Sequence, residues 1–248
     1  MKVIGRLIVP LIFLGGMIIS TRYVLHEWKA YESYEGNGTK ENPHLIYTAE
    51  QLNQLRQEVN NGLNTSGLYF ELMNDIDLKD FDADLNKKNG NWIPIGYSEV
   101  PDSLFKETEK GLIEGTKENI QYVTELKQKE ENYKAFSGTF NGNGHTIKNI
   151  NIVSGEKGSV GFFGNVSGAV IENLTFKNVE ISGVENVGSL AGTVTDSTIH
   201  NITVKGDVDV DGDTHIGSLI GAVGKDQSIA RINGYDVDSS LDSIGEIY

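Results

Sequence analysis

The chain has 248 residues, no cysteine and a formal net charge of −14. Disulfides, thiolate chemistry and an acylated lipoprotein cysteine are excluded outright, and the acidic balance argues against nucleic acid or an anionic membrane surface as the main partner. Hydrophobic residues at 38% and charged residues at 23% allow a packed core rather than disorder, and 29 glycines call for frequent turns.

Met1 to Arg6 is a short basic region, and Leu7 to Ile19 is an apolar run without charge. Residues 1–25 read as a targeting segment and stand outside fold reasoning. Two readings stay open: a cleaved signal peptide, or an uncleaved membrane anchor oriented by Lys2 and Arg6 with the rest of the chain outside. Either one predicts export. Residues 26–44 are polar and aromatic-spotted and read as a tether.

The next element is a helix over Ala49 to about Asn61. Thr48 is its N-cap, Gln51 completes a capping box, and Tyr47 against Leu52 forms a staple. Leu52, Leu55 and Val59 share one face, and Gly62 supplies the stop. The sequence predicts this segment, residues 48–62, as a cap over the first rung of strands, since an open sheet edge invites pairing with other chains. Leu68 to Leu78 alternates as that first rung, and Trp92 to Ile95 as another strand. Residues 97–135 are a charged insertion, with helical spacing over roughly Lys117 to Glu131, read as a solvated flap or as an excursion that touches a partner.

From residue 147 onward one pattern recurs. Its openings are Ile147-Lys-Asn-Ile150, Ile171-Glu-Asn-Leu174, Ile199-His-Asn-Ile202 and Ile229-Ala-Arg-Ile232, spaced 24, 28 and 30 residues apart. Its closings are Val160-Gly-Phe-Phe-Gly164, Val187-Gly-Ser-Leu-Ala-Gly192, Ile216-Gly-Ser-Leu-Ile-Gly221 and a stub, Ile244-Gly-Glu-Ile247. A period of this size means a repeat architecture. Within each copy β-branched residues alternate with polar ones, which is strand periodicity. A unit this short cannot bury both faces, so copies stack and each strand pairs with its equivalent in the next coil. The predicted fold is a right-handed parallel β-helix over residues 45–248. In it Ile147, Ile171, Ile199 and Ile229 form an inner ladder. Asn149, Asn173 and Asn201 form a corner ladder that ends where Arg231 replaces Asn.

The stretch Phe136-Ser-Gly-Thr-Phe-Asn-Gly-Asn-Gly-His-Thr-Ile147 and the aliphatic-Gly closings resemble the GLUG-motif repeat of bacterial surface proteins. Asn74-Asp-Ile-Asp-Leu78 and Trp92-Ile-Pro-Ile-Gly96 are similar to the segment that often precedes such repeats, so the resemblance covers Gly36–Gly96 and Phe136–Tyr248. The long 97–135 insertion departs from it. The resemblance implies an adhesin-like protein of the kind also found beside the metallopeptidase domain of immunoglobulin A proteases, with a repeat that is not itself catalytic.

Candidate chemistry is sparse. Asp207-Val-Asp209-Val-Asp211-Gly-Asp213 matches the first half of a calcium loop, but position twelve is Ser218 rather than a bidentate Glu. The same alternation is explained by Val208 and Val210 packing inward. His26, His44, His145, His200 and His215 form no His-Glu-x-x-His pair. His145 reads as a turn residue and His200 as outward-facing. Glu172, Glu180, Asp207 and Asp209 are the carboxylates that a pectin-lyase-like enzyme on this scaffold would draw on, with Lys205 as the basic group the repeat places near them. No nucleophile elbow, phosphate loop or dinucleotide fingerprint appears, so no catalytic, cofactor-binding or metal residue is assigned.

The expectation is therefore a non-catalytic exported protein, membrane-anchored or secreted at the cell surface, that binds a host or surface protein or a glycan and not nucleic acid. The competing readings are a carbohydrate-active β-helix enzyme and a fragment of a larger surface peptidase or adhesin. Self-association at the C-terminal edge is a further expectation, because the chain stops inside a closing element.

Overall fold

The computed structural model describes residues 34–83, 90–97, 134–155, 158–224, 231–237 and 244–247. The leader, the first part of the tether, His26, and the helix expected over 117–131 lie outside the described residues.

Strands follow the alternation of buried and exposed side chains along the chain: β1 (His44–Ile46), β2 (Tyr69–Leu72), β3 (Ile76–Asp77), β4 (Thr139–Asn141), β5 (Thr146–Val153), β6 (Phe163–Ser167) and β7 (Val170–Ser182). They continue with β8 (Glu185–Val187), β9 (Ala191–Thr195), β10 (Thr198–Asp211), β11 (Thr214–Ile216), β12 (Ile220–Val223), β13 (Arg231–Val237) and β14 (Ile244–Ile247). All ladders between these strands are parallel, and the order β1-β2-β4-β7-β10-β13 steps through the chain coil by coil. A second set, β6-β9-β12-β14, and a short pair, β8 with β11, complete each coil. The result is a parallel β-solenoid of about five turns, as the repeat predicts.

The helix α1 (Ala49–Asn60) is where the sequence puts it. The Thr48 hydroxyl accepts from the Gln51 amide at 3.3 Å, and the Gln51 side chain accepts in turn from the Tyr47 amide at 2.8 Å. Gly62, at φ +95°, ends it, with the Leu63 amide donating back to the Glu58 carbonyl. Leu52, Leu55 and Val59 are fully buried in the same core cluster as Ile46, Phe70 and Leu72 of β1 and β2. The Asn60 side chain binds the backbone of Pro94, Gly96 and Tyr97, and Tyr34 bonds Glu58 while packing on Phe70. The last turn of the helix is thus fastened to the first coil.

Three expectations shift in detail. The first rung begins earlier than Leu68, with β1, and residues from Tyr34 on, within the stretch read as a tether, are already part of it: Glu35 accepts from Leu45 and Gly38 from Tyr69. The span Trp92–Ile95 makes a single bridge, Ile95 to Phe163, instead of a strand. Its weight lies in Trp92, which stacks on Phe162 at 5.2 Å inside an aromatic core with Phe136, Phe140, Phe163 and Phe176.

The largest correction concerns register. Ile147 does not pair with Ile171; it pairs with Phe176, and Ile171 pairs with Phe140. The inner columns are Phe70-Phe140-Ile171-Ile199, with Ile232 next in register, and Ile76-Ile147-Phe176-Val204-Val237. In the last coil Ile232, not Ile229, pairs with Ile199, and Ile244 pairs with Ile220, not with Ile216. The closings Val160, Val187 and Ile216 do stack as expected. Their glycines are required by close coil contact: a Cβ on Gly188 would sit 2.6 Å from the Ala191 carbonyl oxygen and 2.7 Å from the Gly221 nitrogen.

Register is testable because the chain has no native cysteine. Paired residues on adjacent parallel strands lie about 4.8 Å apart, within disulfide range. Lys148→Cys combined with Lys177→Cys is expected to crosslink on mild oxidation, and Lys148→Cys with Glu172→Cys is not. Mass spectrometry of the two variants decides between the registers.

Candidate binding face

Strands β7 and β10 are too long to be straight. Each carries an asparagine in the left-handed region partway along, Asn173 at φ 55° and Asn201 at φ 55°, and β7 carries a second at Asn178, φ 55°. A left-handed residue inside an extended strand bends it, and Asn tolerates that conformation better than other side chains. Asn149 at φ 59° and Gly206 at φ 83° stand beside Asn178 in the coils before and after.

These corner residues form two ladders rather than one. The Asn201 amide donates to Asn173 at 2.7 Å, and the Asn173 amide to Asn141 at 3.1 Å. In the second ladder the Asn178 amide donates to Asn149 at 3.0 Å, and the Asn149 amide to Asp77 at 2.7 Å. Asn149 therefore belongs with Asn178, a correction to the single predicted ladder. The first ladder ends at Gly234, φ 62°, which takes the place next to Asn201; Arg231 lies three residues earlier, paired with Thr198.

Between the two ladders lies one short side of the solenoid. Its inward residues are Ile147, Phe176 and Val204, all buried. Its outward residues are two columns, Thr146-Thr175-Thr203 and Lys148-Lys177-Lys205. At the N-terminal end Asp77 meets Lys148 at 3.4 Å, and Asp75 accepts from the Thr146 amide at 2.9 Å and contacts His145 Nδ1 at 3.2 Å. At the other end Asp236 pairs with Thr203. Lys177 and Lys205 are exposed and form no ion pair among the described residues. Like charges placed directly opposite on neighbouring strands are destabilising. This column is thus held against its own repulsion by the packing beneath it.

The hydrogen bonds that Asp75 and Asp77 accept favour the ionised form. The Thr146 amide, and then His145, hold Asp75 below the usual carboxylate range; the Asn149 amide, and then the Lys79 backbone, do the same for Asp77. At the same N-terminal end, burial is the main cause that pushes the Tyr34 phenol above its usual range, with Glu58 adding to it, and burial lowers His44.

The residues singled out from sequence are distributed around the solenoid. Glu172 Oε2 accepts from His200 Nε2 at 2.6 Å between neighbouring coils, outside the Asn173 corner. Glu180 accepts from Asn151 at 2.7 Å and pairs with Asp209, outside the Asn178 corner. The four carboxylates thus do not line one face: two corners separate Glu172 from Glu180 and Asp209. Lys205 stands on the lysine column. Asp207, Asp209, Asp211 and Asp213 are all exposed, and Asp209 and Asp211 are fixed in the β10 ladder with β7. Extended pairing sends their side chains outward along a line, where a calcium loop would wrap them around an ion. Among the described residues no group of three His, Asp or Glu side chains converges as a metal site. His145 does sit in the Asn143-Gly144 turn, and His215 Nδ1 contacts Asn186 at 3.0 Å in a third rung-to-rung contact between left-handed residues.

The lysine column is the feature that sequence reading missed. Its signal was present: Phe176-Lys-Asn-Val179 repeats Ile147-Lys-Asn-Ile150 more closely than Ile171-Glu-Asn-Leu174 does.

Residues 116–206 match the family model described as the M26 IgA1-specific metallo-endopeptidase N-terminal region. Halomucin of Haloquadratum walsbyi is 30% identical over 194 residues, which is 78% of this chain and 2% of that protein. A putative Gly-rich membrane protein of Evansella cellulosilytica is 28% identical over 177 residues, 68% of this chain and 15% of that one. The chain thus spans a small part of the length of these curated relatives. No solved structure gives a significant match.

The corner ladders make two outcomes measurable. Asn173→Ala is expected to lose about 1–3 kcal/mol in chemical denaturation through the broken amide chain. Asn173→Gly, which keeps the left-handed backbone without strain, is expected to lose about 1 kcal/mol less than the Ala variant. Equal losses would show that the corner conformation carries no weight.

The second outcome concerns acid. Asp77 is held below its ordinary value of 3.8, so the stability it adds is present in full above that value and is lost as pH falls through the depressed one. Asp77→Asn extends the asparagine ladder without a titrating group. The melting-temperature gap between the natural chain and this variant is expected to move in the variant's favour as pH is lowered through that window, and to be constant from pH 5 to 7.

Proposed function

We propose that this chain is a non-catalytic, exported repeat protein of the GLUG type that presents a rigid β-solenoid at the cell surface, anchored through its N-terminal segment or released, for binding a protein or a glycan. The observation that carries this reading is the exterior of the solenoid. Its Thr, Lys and Asn side chains are repeated from coil to coil and bonded along the corners, so a flat surface is ordered before any ligand arrives. Binding sites on such scaffolds gain affinity from preorganisation, and nothing in the arrangement needs a moving part.

The comparisons support display in two ways. One relative is named as a membrane protein, and the matched family model describes the N-terminal region of a peptidase. The small share of each relative that aligns supports a module that larger proteins also carry. The basic and apolar leader, residues 1–25, supports export. No helix among the described residues is long and apolar enough to cross a membrane.

Labelling of intact cells with an antibody against the solenoid tests this reading. Surface labelling that is lost after brief proteolysis of intact cells is the expected result. Full-length protein recovered from the cytosolic fraction and protected from protease would overturn it.

A further inference from the structure

Three stacked ammonium groups are an unusual feature on a chain of net charge −14. The register fixes them: Lys148, Lys177 and Lys205 occupy the same position in successive coils, so their Cα atoms repeat at about 4.8 Å. Two residues away on the same side, Thr146, Thr175 and Thr203 repeat at the same interval and offer hydroxyls that both donate and accept. Asn173 and Asn178 bend the chain at either end of this side, so the acidic residues Glu172 and Glu180 are carried around the corners and away from it.

We propose that this threonine-lysine side binds a linear acidic polysaccharide that carries one anion per sugar, with successive sugars lying on successive coils. The proposal deepens the surface-display reading and rests on it only for access to such a polymer. Three features favour this class of ligand. A 1,4-linked polyuronate chain advances by roughly one coil repeat per sugar, and because successive sugars turn about the chain axis, the long side chains of Lys177 and Lys205 reach carboxylates lying to either side of the chain. The hydroxyl column beside the lysines suits the sugar hydroxyls between the anions. The ends of the side are closed by Asp77, paired with Lys148 at 3.4 Å, and by Asp236, which limits the footprint to about three sugars.

Duplex DNA fits less well. It carries a charge about every 1.7 Å of axis, several times denser than the lysine column, and it meets the net negative charge of the whole chain as it approaches.

The test uses the full-length chain and oligogalacturonate as the probe, with its methyl ester and duplex DNA of matched length as competitors. Binding of the acidic oligomer is expected to weaken about tenfold or more in the Lys177→Gln, Lys205→Gln double variant, with a salt slope shallower by about one to two. The Lys40→Gln, Lys134→Gln double variant, which changes net charge equally away from this side, is expected to bind as the natural chain does. Unchanged melting temperatures confirm that both variants fold. No binding of the acidic oligomer, equal binding of its methyl ester, equal loss in the two double variants, or preference for DNA would each overturn the proposal. Surface labelling of cells is independent of all four results, so display can stand where the ligand class falls.

Discussion

The structure depends on one constraint: in a parallel solenoid each residue lies directly on its equivalent one coil away, so any group that cannot satisfy or tolerate its own copy is excluded. Inside, this selects aliphatic and aromatic columns such as Phe140-Ile171-Ile199, buried to within 1%. At the bends it selects asparagine, whose side chain both donates and accepts an amide hydrogen bond and therefore continues a ladder indefinitely. A carboxylate can only end such a ladder, and Asp77 does so at the start of the second one, accepting from Asn149 with nothing to donate. The bends, the ladders and the flatness of each side are thus one solution to one packing problem.

The same constraint explains what was legible in the sequence and what was not. Strand periodicity in the repeats, the helix capped by Thr48 and the closing glycines are local signals that describe the structure, while Trp92–Ile95 makes one bridge where periodicity predicts a strand. Register is a relation between coils, and here it was ambiguous. The apolar-x-Asn-apolar pattern occurs twice in β7, at Ile171 to Leu174 and at Phe176 to Val179, because this strand bends at two asparagines. Ile147-Lys-Asn-Ile150 could be laid on either one. Choosing the first put Lys148 over Glu172 and produced a mixed surface with no pattern; the actual pairing puts it over Lys177.

That single shift changes the functional reading of the exterior. Carboxylates that the repeat alone could place on one face are parted by bends, and Glu172 is engaged with His200 while Glu180 faces Asp209. The calcium-like run of aspartates becomes the outward half of a paired strand. The lysines, scattered in the sequence, become a line. Stacking amplifies small biases in composition into continuous columns, so on a solenoid the functional unit is a column and a side, and a residue taken alone says little.

Charge on such a molecule is best judged by distance. At physiological salt an exposed charge is felt over about 8 Å, roughly two coils along the axis. A ligand lying on the threonine-lysine side therefore senses the lysines beneath it far more than the acidic total of the chain. The net charge of −14 governs solubility and the approach of large, densely charged partners. The columns govern what is held on contact. An overall acidic protein can in this way keep most anions at a distance and still retain one whose charges are spaced like its own coils.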